Sequence, residues 1–369
     1  MKLLTRDRFD DLLHLLREQG YRTLAPTVRD GAVVPREIGT AAELPIGWRD
    51  EHAPGHYRLL PSDAPDLFGC VLTAEPWKAQ LFPAERTLFT VTRKAGRLTF
   101  TAAPPDPTRR ALIGLRPCEL RAVEVHDAVL RDGPYADDDY AGRRAGALTV
   151  VVNCTRAAAT CFCTSQKSGP RATAGFDLAL TELVADGPHR FTVEAGSATG
   201  AALLEQLDLN DATGADRAAV DAGCARAAAQ ISRRLKGAGL PAELLANLDH
   251  PRWDEVAARC LNCGNCTQVC PTCFCVAVEE RPDLAGIEAT RSRRWDSCFN
   301  PAHSYVAGGV IRNNTRSRYR QWLTHKLATW HDQFGHSGCV GCGRCIAWCP
   351  VGIDITAEAQ AIRQGAQGD

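Results

Sequence analysis

The hydrophobic pattern divides the chain into three textures. Phe9, Leu12, Leu13 and Leu16 fall at helical spacing within residues 5–19, and Gly20 follows as a stop, so an amphipathic helix is predicted first. From about residue 21 to 200 the pattern shortens to β-type runs separated by Gly and Pro: "TLFTVTR" (87–93), "RLTF" (97–100), "ALIGL" (111–115), "LTVVVNC" (148–154) and "HRFTV" (189–193). "PCELRAVEVHDAVLRD" (117–132) lies between the third and fourth runs and carries an apolar face, so it reads as a helix. Beyond about residue 216 the texture is helical. "DRAAVDAGCARAAAQISRRLK" is rich in strong helix formers, "PAELLANL" and "PRWDEVAARC" each begin with Pro at a first-turn position, and "SRYRQWLTHKLATWHDQFG" (317–335) follows. The fold class expected is α+β, with a mixed α/β domain over 1–215 and a helical domain over 216–369.

Composition narrows the function classes. A chain of 369 residues with 45% hydrophobic and 23% charged positions is globular and long enough for two or three domains. Its formal net charge of zero argues against nucleic-acid or membrane-surface binding. No apolar run reaches the roughly 18 residues a spanning helix needs. The N-terminal segment has acids inside its apolar pattern and no cleavage site, so a cytoplasmic protein is expected. Seventeen cysteines is an odd number for a disulfide framework, and in a reducing compartment such clustering points to metal ligation.

Two strings carry the clearest chemistry. "CLNCGNCTQVCP" and "CVGCGRCIAWCP" both obey C-x₂-C-x₂-C-x₃-C-P, and 68 residues separate Cys270 from Cys339. Four thiolates hold a [4Fe–4S] cube, and in two-cluster proteins the fourth cysteine of each string ligates the other cube. Cys260, Cys263, Cys266 and Cys349 are therefore expected to hold one cluster, and Cys339, Cys342, Cys345 and Cys270 the second. Gly264 and Gly343 follow the second cysteine of each string, where a side chain would crowd the cluster. Paired zinc knuckles would leave the third cysteine and the trailing proline unexplained. The long insert between the strings suggests a helical two-cluster domain.

Other cysteines leave alternatives open. Cys273, Cys275 and Cys298 follow closely and can be structural, contacts of a cluster, or an exchangeable ligand. "GLRPCELRA" (114–122) and "NCTRAAATCFCTS" (153–165) end β-type runs and carry Cys118, Cys154, Cys161 and Cys163, which either complete a third cluster or are four unconnected thiols. Cys70 and Cys224 are isolated and read as core. Arg291, Arg293, Arg294, Arg312, Arg316, Arg318, Arg320 and Lys326 form a basic segment that would raise a nearby cluster's potential, make a docking face, or be a solvated surface. "GAGLPA" (237–242) ends a helix and contains Pro241, so it is discounted as a dinucleotide site, and no P-loop or H-E-x-x-H is present. Clusters without a substrate pocket describe a relay.

The combination of "GLRPCELRA", "NCTRAAATCFCTS", "CLNCGNCTQVCPTCFC", "WDSCF" and "CVGCGRCIAWCPVGID" resembles the iron–sulfur beta subunit of cytosolic NAD(P)-linked [NiFe] hydrogenases, or sulfhydrogenases, over about residues 111–356. The equivalent subunit of anaerobic sulfite reductase is similar. The resemblance implies a non-catalytic electron-transfer subunit with two [4Fe–4S] clusters on the eight string cysteines. It also favours a third cluster at Cys118, Cys154, Cys161 and Cys163. It implies partners that bind FAD and NAD(P) on one side, and on the other the large and small subunits of a [NiFe] hydrogenase or the catalytic subunit of a sulfite reductase. No flavin or nicotinamide is expected on this chain. A free-standing thiol or disulfide oxidoreductase, reacting through Cys273 or Cys275, is the competing expectation.

Overall fold

The computed structural model describes residues 1–364 except 186, 236 and 238. Besides a two-residue pair at Tyr305–Val306 and Gly309–Val310, its strands are β1 (Lys2–Thr5), β2 (Arg22–Arg29), β3 (Ala32–Glu37), β4 (Trp48–Ala53), β5 (His56–Pro61), β6 (Glu85–Lys94) and β7 (Arg97–Ala102). They continue as β8 (Arg110–Leu115), β9 (Ala147–Val152), β10 (Leu178–Leu183), β11 (Arg190–Ala195), β12 (Asn210–Asp211), β13 (Val276–Pro282) and β14 (Glu288–Trp295).

Eight strands form one sheet in the order β12-β1-β11-β10-β9-β8-β2-β3. Its centre is parallel: β2 pairs β8, β8 pairs β9, and β9 pairs β10. Every residue of β8 is buried, as its uninterrupted apolar run requires of a strand covered on both faces. Phe9, Leu12, Leu13 and Leu16 of the first helix, Phe9–Glu18, pack with Ile113, Val150 and Leu180 on one face. The expected helix start is trimmed, because Lys2–Thr5 is taken into the sheet and Arg6–Arg8 form a 3₁₀ turn.

The helix Pro117–Leu130 connects β8 to β9 as expected, with Pro117 at its first position. The helix Gly214–Gln230 packs Val220 and Cys224 against Leu183 of β10, so it belongs to the large sheet by contact. Lys236, the last residue of the helix expected there, and Ala238 of "GAGLPA" lie outside the described residues, as do 365–369.

The C-terminal part has its own core of Trp253, Phe299, Tyr319, Trp322, Leu323 and Ile346. Helices Leu240–Ala246, Arg252–Arg259, Thr315–Thr324 and Ile355–Gln364 surround it, in line with the helical texture. One segment departs from that texture. Residues 276–295 form the hairpin β13–β14, which joins β6 and β7 in a sheet of order β13-β14-β6-β7. Seven register pairs close the hairpin, and β14 pairs with β6 from Glu288 to Arg294, which fastens it to the smaller sheet. Among the described residues no helix is long and apolar enough to cross a membrane.

Candidate iron–sulfur centres

In each string the chain turns at a left-handed glycine, Gly264 (φ 74°) and Gly343 (φ 79°), and then makes one short helical turn, Asn265–Gln268 or Arg344–Ala347. The need for glycine is more specific than crowding by a cluster. A Cβ on Gly343 would stand 2.2 Å from the carbonyl oxygen of Thr160, whereas one on Gly264 would meet Ser297 Oγ at 3.2 Å. The second string is thus pressed directly against the "TCFC" loop.

The structure brings Cys260, Cys263 and Cys266 to one cavity, where Cys349 and Cys345 of the other string join them, and of these two Cys349 acts on Cys260 and Cys266. Phe299, Tyr319, Trp322 and Ile353 close it on the inner side. Burial pushes the Cys266 thiol well up, and Cys260, Cys349 and Cys263 around it add to the shift. Cys263 is exposed, and so are Leu261 and Val351 beside it, so this group reaches the surface. The amide of Ile353 donates to Cys349 Sγ at 3.3 Å.

Cys339, Cys342 and Cys345 face Cys270 in a second group. Burial raises the Cys345 thiol, and Cys339, Cys342, Cys270 and Cys266 follow as neighbours, so the two groups adjoin. Cys270 is the exception among these thiols. A hydrogen bond from the Cys273 thiol, then Lys326 and Thr272, draw it well below the usual range. Lys326 Nζ lies 3.2 Å from Cys270 Sγ and 3.0 Å from Thr272 Oγ1. Lys78 Nζ, equally buried, donates to the Cys273 carbonyl at 2.9 Å and sits over the Trp295 ring at 4.1 Å. Among the described residues neither lysine pairs with a carboxylate. Two buried ammonium groups lacking carboxylates call for another source of negative charge, and four thiolates around iron supply it. The residues present fit such a group.

Cys118, Cys154, Cys161 and Cys163 also come together. Cys118 follows the carboxyl end of β8 and Cys154 that of the adjacent parallel β9, where open α/β sheets gather their ligands. The Cys118 thiol is raised first by burial, then by Cys342, Cys163, Glu119 and Cys154; Cys161 is raised by burial, then by Cys163, Cys154 and Cys342. Cys342 of the second group therefore borders this third one. Backbone bonds clamp the junction: Phe162 N donates to Gly341 O at 2.8 Å, and Ser168 Oγ to Val340 O at 2.6 Å. Arg156, between the cysteines, holds buried Asp50 at 2.8 Å, and Arg116 donates to the carbonyls of Val71, Phe68 and Cys70.

Among the described residues no three His, Cys, Asp or Glu side chains converge on a single ion. Thiolates at the corners of a cube, each on its own iron, stand farther apart than ligands of one ion.

Several residues that matter here carried weak signals or none. Arg344, inside the second string, is fully buried and donates to Glu119 Oε1 at 2.5 Å and to the Thr73 carbonyl at 2.9 Å. Its place between two cysteines hid it, as did the role of Glu119 within "PCEL". Lys326 was one of eight basic residues. Most of the others make ion pairs elsewhere: Arg291 with Glu280 and Arg294 with Glu279 on the solvated surface, Arg316 with exposed Asp249, and Arg293 with Asp137, while Arg318 is buried and donates to the Arg312 carbonyl. Cys70 and Cys224 are buried, as expected of core positions.

Known proteins agree with this chemistry. A family model described as a 4Fe-4S dicluster domain matches residues 259–353. The sulfhydrogenase 2 subunit beta of Pyrococcus furiosus is 34% identical over 257 residues, which cover 69% of this chain and 74% of that protein. No solved structure matches.

Proposed function

The chain belongs to the sulfhydrogenase beta-subunit family and has an iron–sulfur electron-transfer role, and from that premise we propose that it relays electrons between an FAD- and NAD(P)-binding subunit and the catalytic subunits of a [NiFe] hydrogenase. The observation that carries this reading is the line of three adjoining cysteine groups. They run from the buried ends of β8 and β9, through the group flanked by Lys326 and Lys78, to the exposed end at Cys263.

In this reading Cys260, Cys263, Cys266 and Cys349 hold one [4Fe–4S] cluster, Cys339, Cys342, Cys345 and Cys270 the second, and Cys118, Cys154, Cys161 and Cys163 a third. Such clusters supply one-electron transfer when bound. The chain's own residues do the rest. Phe299, Tyr319 and Trp322 keep water from the inner side of the Cys260 group. The ammonium groups of Lys326 and Lys78 favour added negative charge near Cys270. Arg344 and Glu119 lock the second group to the third.

The two units, 1–215 and 216–369, are proposed as the sheet that carries the third cluster and the part that carries the other two. The boundary falls inside the helix Gly214–Gln230, which packs on the large sheet, and this helix and hairpin β13–β14 tie the two together. The equivalent place in an anaerobic sulfite reductase complex shares all of these features. Purification from the native host under anaerobic conditions separates the two, since the relay reading requires a flavoprotein and a nickel-containing subunit to elute with this chain. Elution with a haem-containing sulfite reductase would sink the hydrogenase assignment. Elution alone, with no flavoprotein, would sink both.

A further inference from the structure

We propose that Cys275 and Cys298 form a thiol–disulfide exchange site, with His303 and Asp296 handling its protons, that reacts with small disulfides. The site lies outside the three cysteine groups and is built by hairpin β13–β14. The last register pair of the hairpin is Val276 with Trp295, and the Asp296 amide then donates to the Cys275 carbonyl at 2.9 Å. Cys275 and Asp296 thus face each other at its open end. His303, in the 3₁₀ turn Pro301–Ser304, sets Nδ1 2.8 Å from Asp296 Oδ2, while Asn300 Nδ2 holds the other carboxylate oxygen at 2.9 Å. Cys275, Cys298 and His303 line one cavity, and the His303 nitrogen not turned to Asp296 is the one available to the Cys275 thiol. This is the order of a nucleophile, a base and the group that orients the base, with a second cysteine added.

Access separates this pair from the other thiols. Cys275, Cys298 and His303 are half-buried and line a cavity of about 170 Å³, with Arg312 and Lys326 on its wall. Cys273 shares the cavity, but its thiol is engaged with Cys270 and it is left out of the site. The charged and titratable groups facing Cys275 are His303, Asp296, His325 and, across the cavity, Arg312 and Lys326. Their balance is positive, which suits a thiolate. In agreement, Cys298 and His303 hold the Cys275 thiol well below its ordinary value, and Cys275 and Asp296 hold His303 up to about 9.

The exchange balances without a further reactant. The Cys275 thiolate attacks one sulfur of R–S–S–R, the disulfide bond breaks, and the departing thiolate takes the proton of the His303 imidazolium to leave as R–SH. Neutral His303 then removes the Cys298 proton, and the Cys298 sulfur attacks Cys275. The second R–S⁻ leaves with that proton. The cysteine pair is oxidised by two electrons, and R–S–S–R is reduced to two thiols; the reverse reaction with a thiol restores the pair.

The test uses the full chain with its iron, prepared anaerobically, and bis(2-hydroxyethyl) disulfide as the probe. After alkylation and digestion, mass spectrometry should find a Cys275–Cys298 disulfide in the wild type, with two thiols released per chain. C298S should stall with the probe's half-molecule on Cys275, and C275S should leave Cys298 unmodified. H303Q should slow adduct formation at pH 6 roughly 10-fold, because less of Cys275 is then thiolate. Iron content should stay unchanged in all three. A probe spread over other cysteines, or none at Cys275, overturns the proposal, and so does loss of about four irons in C275S, which would make Cys275 a cluster ligand. Wild-type mapping decides alone if a variant does not fold. The result leaves the relay reading untouched, since that is judged by iron content and partners.

Discussion

Cys345 and Cys349 both line the cavity of Cys260, Cys263 and Cys266, but Cys349 is the one that acts on Cys260 and Cys266, while the foremost neighbours of Cys345 are Cys339 and Cys342. Cys349→Ser should therefore bleach the cluster of the first string, and Cys345→Ser that of the second. Low-temperature paramagnetic resonance of the reduced protein can tell the two apart. If both changes strike the same cluster, the crossed arrangement is wrong. Lys326 allows a second test on one side chain. Its ammonium lies 3.2 Å from Cys270 Sγ, and Lys326→Met keeps much of its volume while removing the charge. Even with the screening of bulk water such an attraction is worth about 1 kcal/mol per added electron, or about 40 mV, and Lys326 is buried. The midpoint potential of that cluster should fall by at least this amount in a redox titration, with the other clusters moving less.

The short turn after Gly343 shows how backbone geometry joins two segments far apart in sequence. Gly343 holds φ 79°, and a Cβ there would stand 2.2 Å from the Thr160 carbonyl oxygen. Gly343→Ala should cost roughly 2–4 kcal/mol, from left-handed strain plus forced separation of the loops. Gly264→Ala, opposed by the Ser297 side chain with Oγ at 3.2 Å and Cβ at 3.3 Å, should cost roughly 1–2 kcal/mol. Chemical denaturation of the iron-loaded variants compares them. Next in the chain, Arg344 and Glu119 are a fully buried pair at 2.5 Å. Arg344→Met strands the Glu119 carboxylate and should destabilise by about 3–5 kcal/mol, and adding Glu119→Gln should restore part of the loss. A double-mutant cycle giving no coupling would mean the pair does not fasten the second string to the helix Pro117–Leu130.

Taken over the whole fold, three cysteine groups join the large sheet to the helical part, and Cys118, Cys161, Cys163 and Cys342 share one hydrophobic cluster at the junction. Anaerobic iron and sulfide analysis should give about twelve of each, and about eight would remove the third cluster. Removing iron with a chelator should loosen the part built on Trp253, Tyr319 and Trp322, while the eight-stranded sheet keeps its protection in hydrogen exchange, because cysteines pack against the core of the former and none lies in the core between the sheet and the helix Phe9–Glu18. Much of this was legible in the residues. The helix with Phe9, Leu12 and Leu16, the runs that became β6 to β9 and β11, and the helix after Pro117 follow from local periodicity, and each string announces its cluster type by spacing alone. What lay beyond reach shares one cause: contacts between segments distant in sequence. Cys118 and Cys154 meet because β8 and β9 are parallel neighbours, and the hairpin over 276–295 joins β6, nearly two hundred residues earlier, in one sheet. One lysine of eight basic residues reaches a thiol, while most of the arginines satisfy carboxylates or carbonyls nearer to them. Ligand spacing and hydrophobic period are local and can be read along the chain. Which thiols converge, and which buried charges face them, was decided by packing, since burial and long-range pairing exist only in the folded molecule.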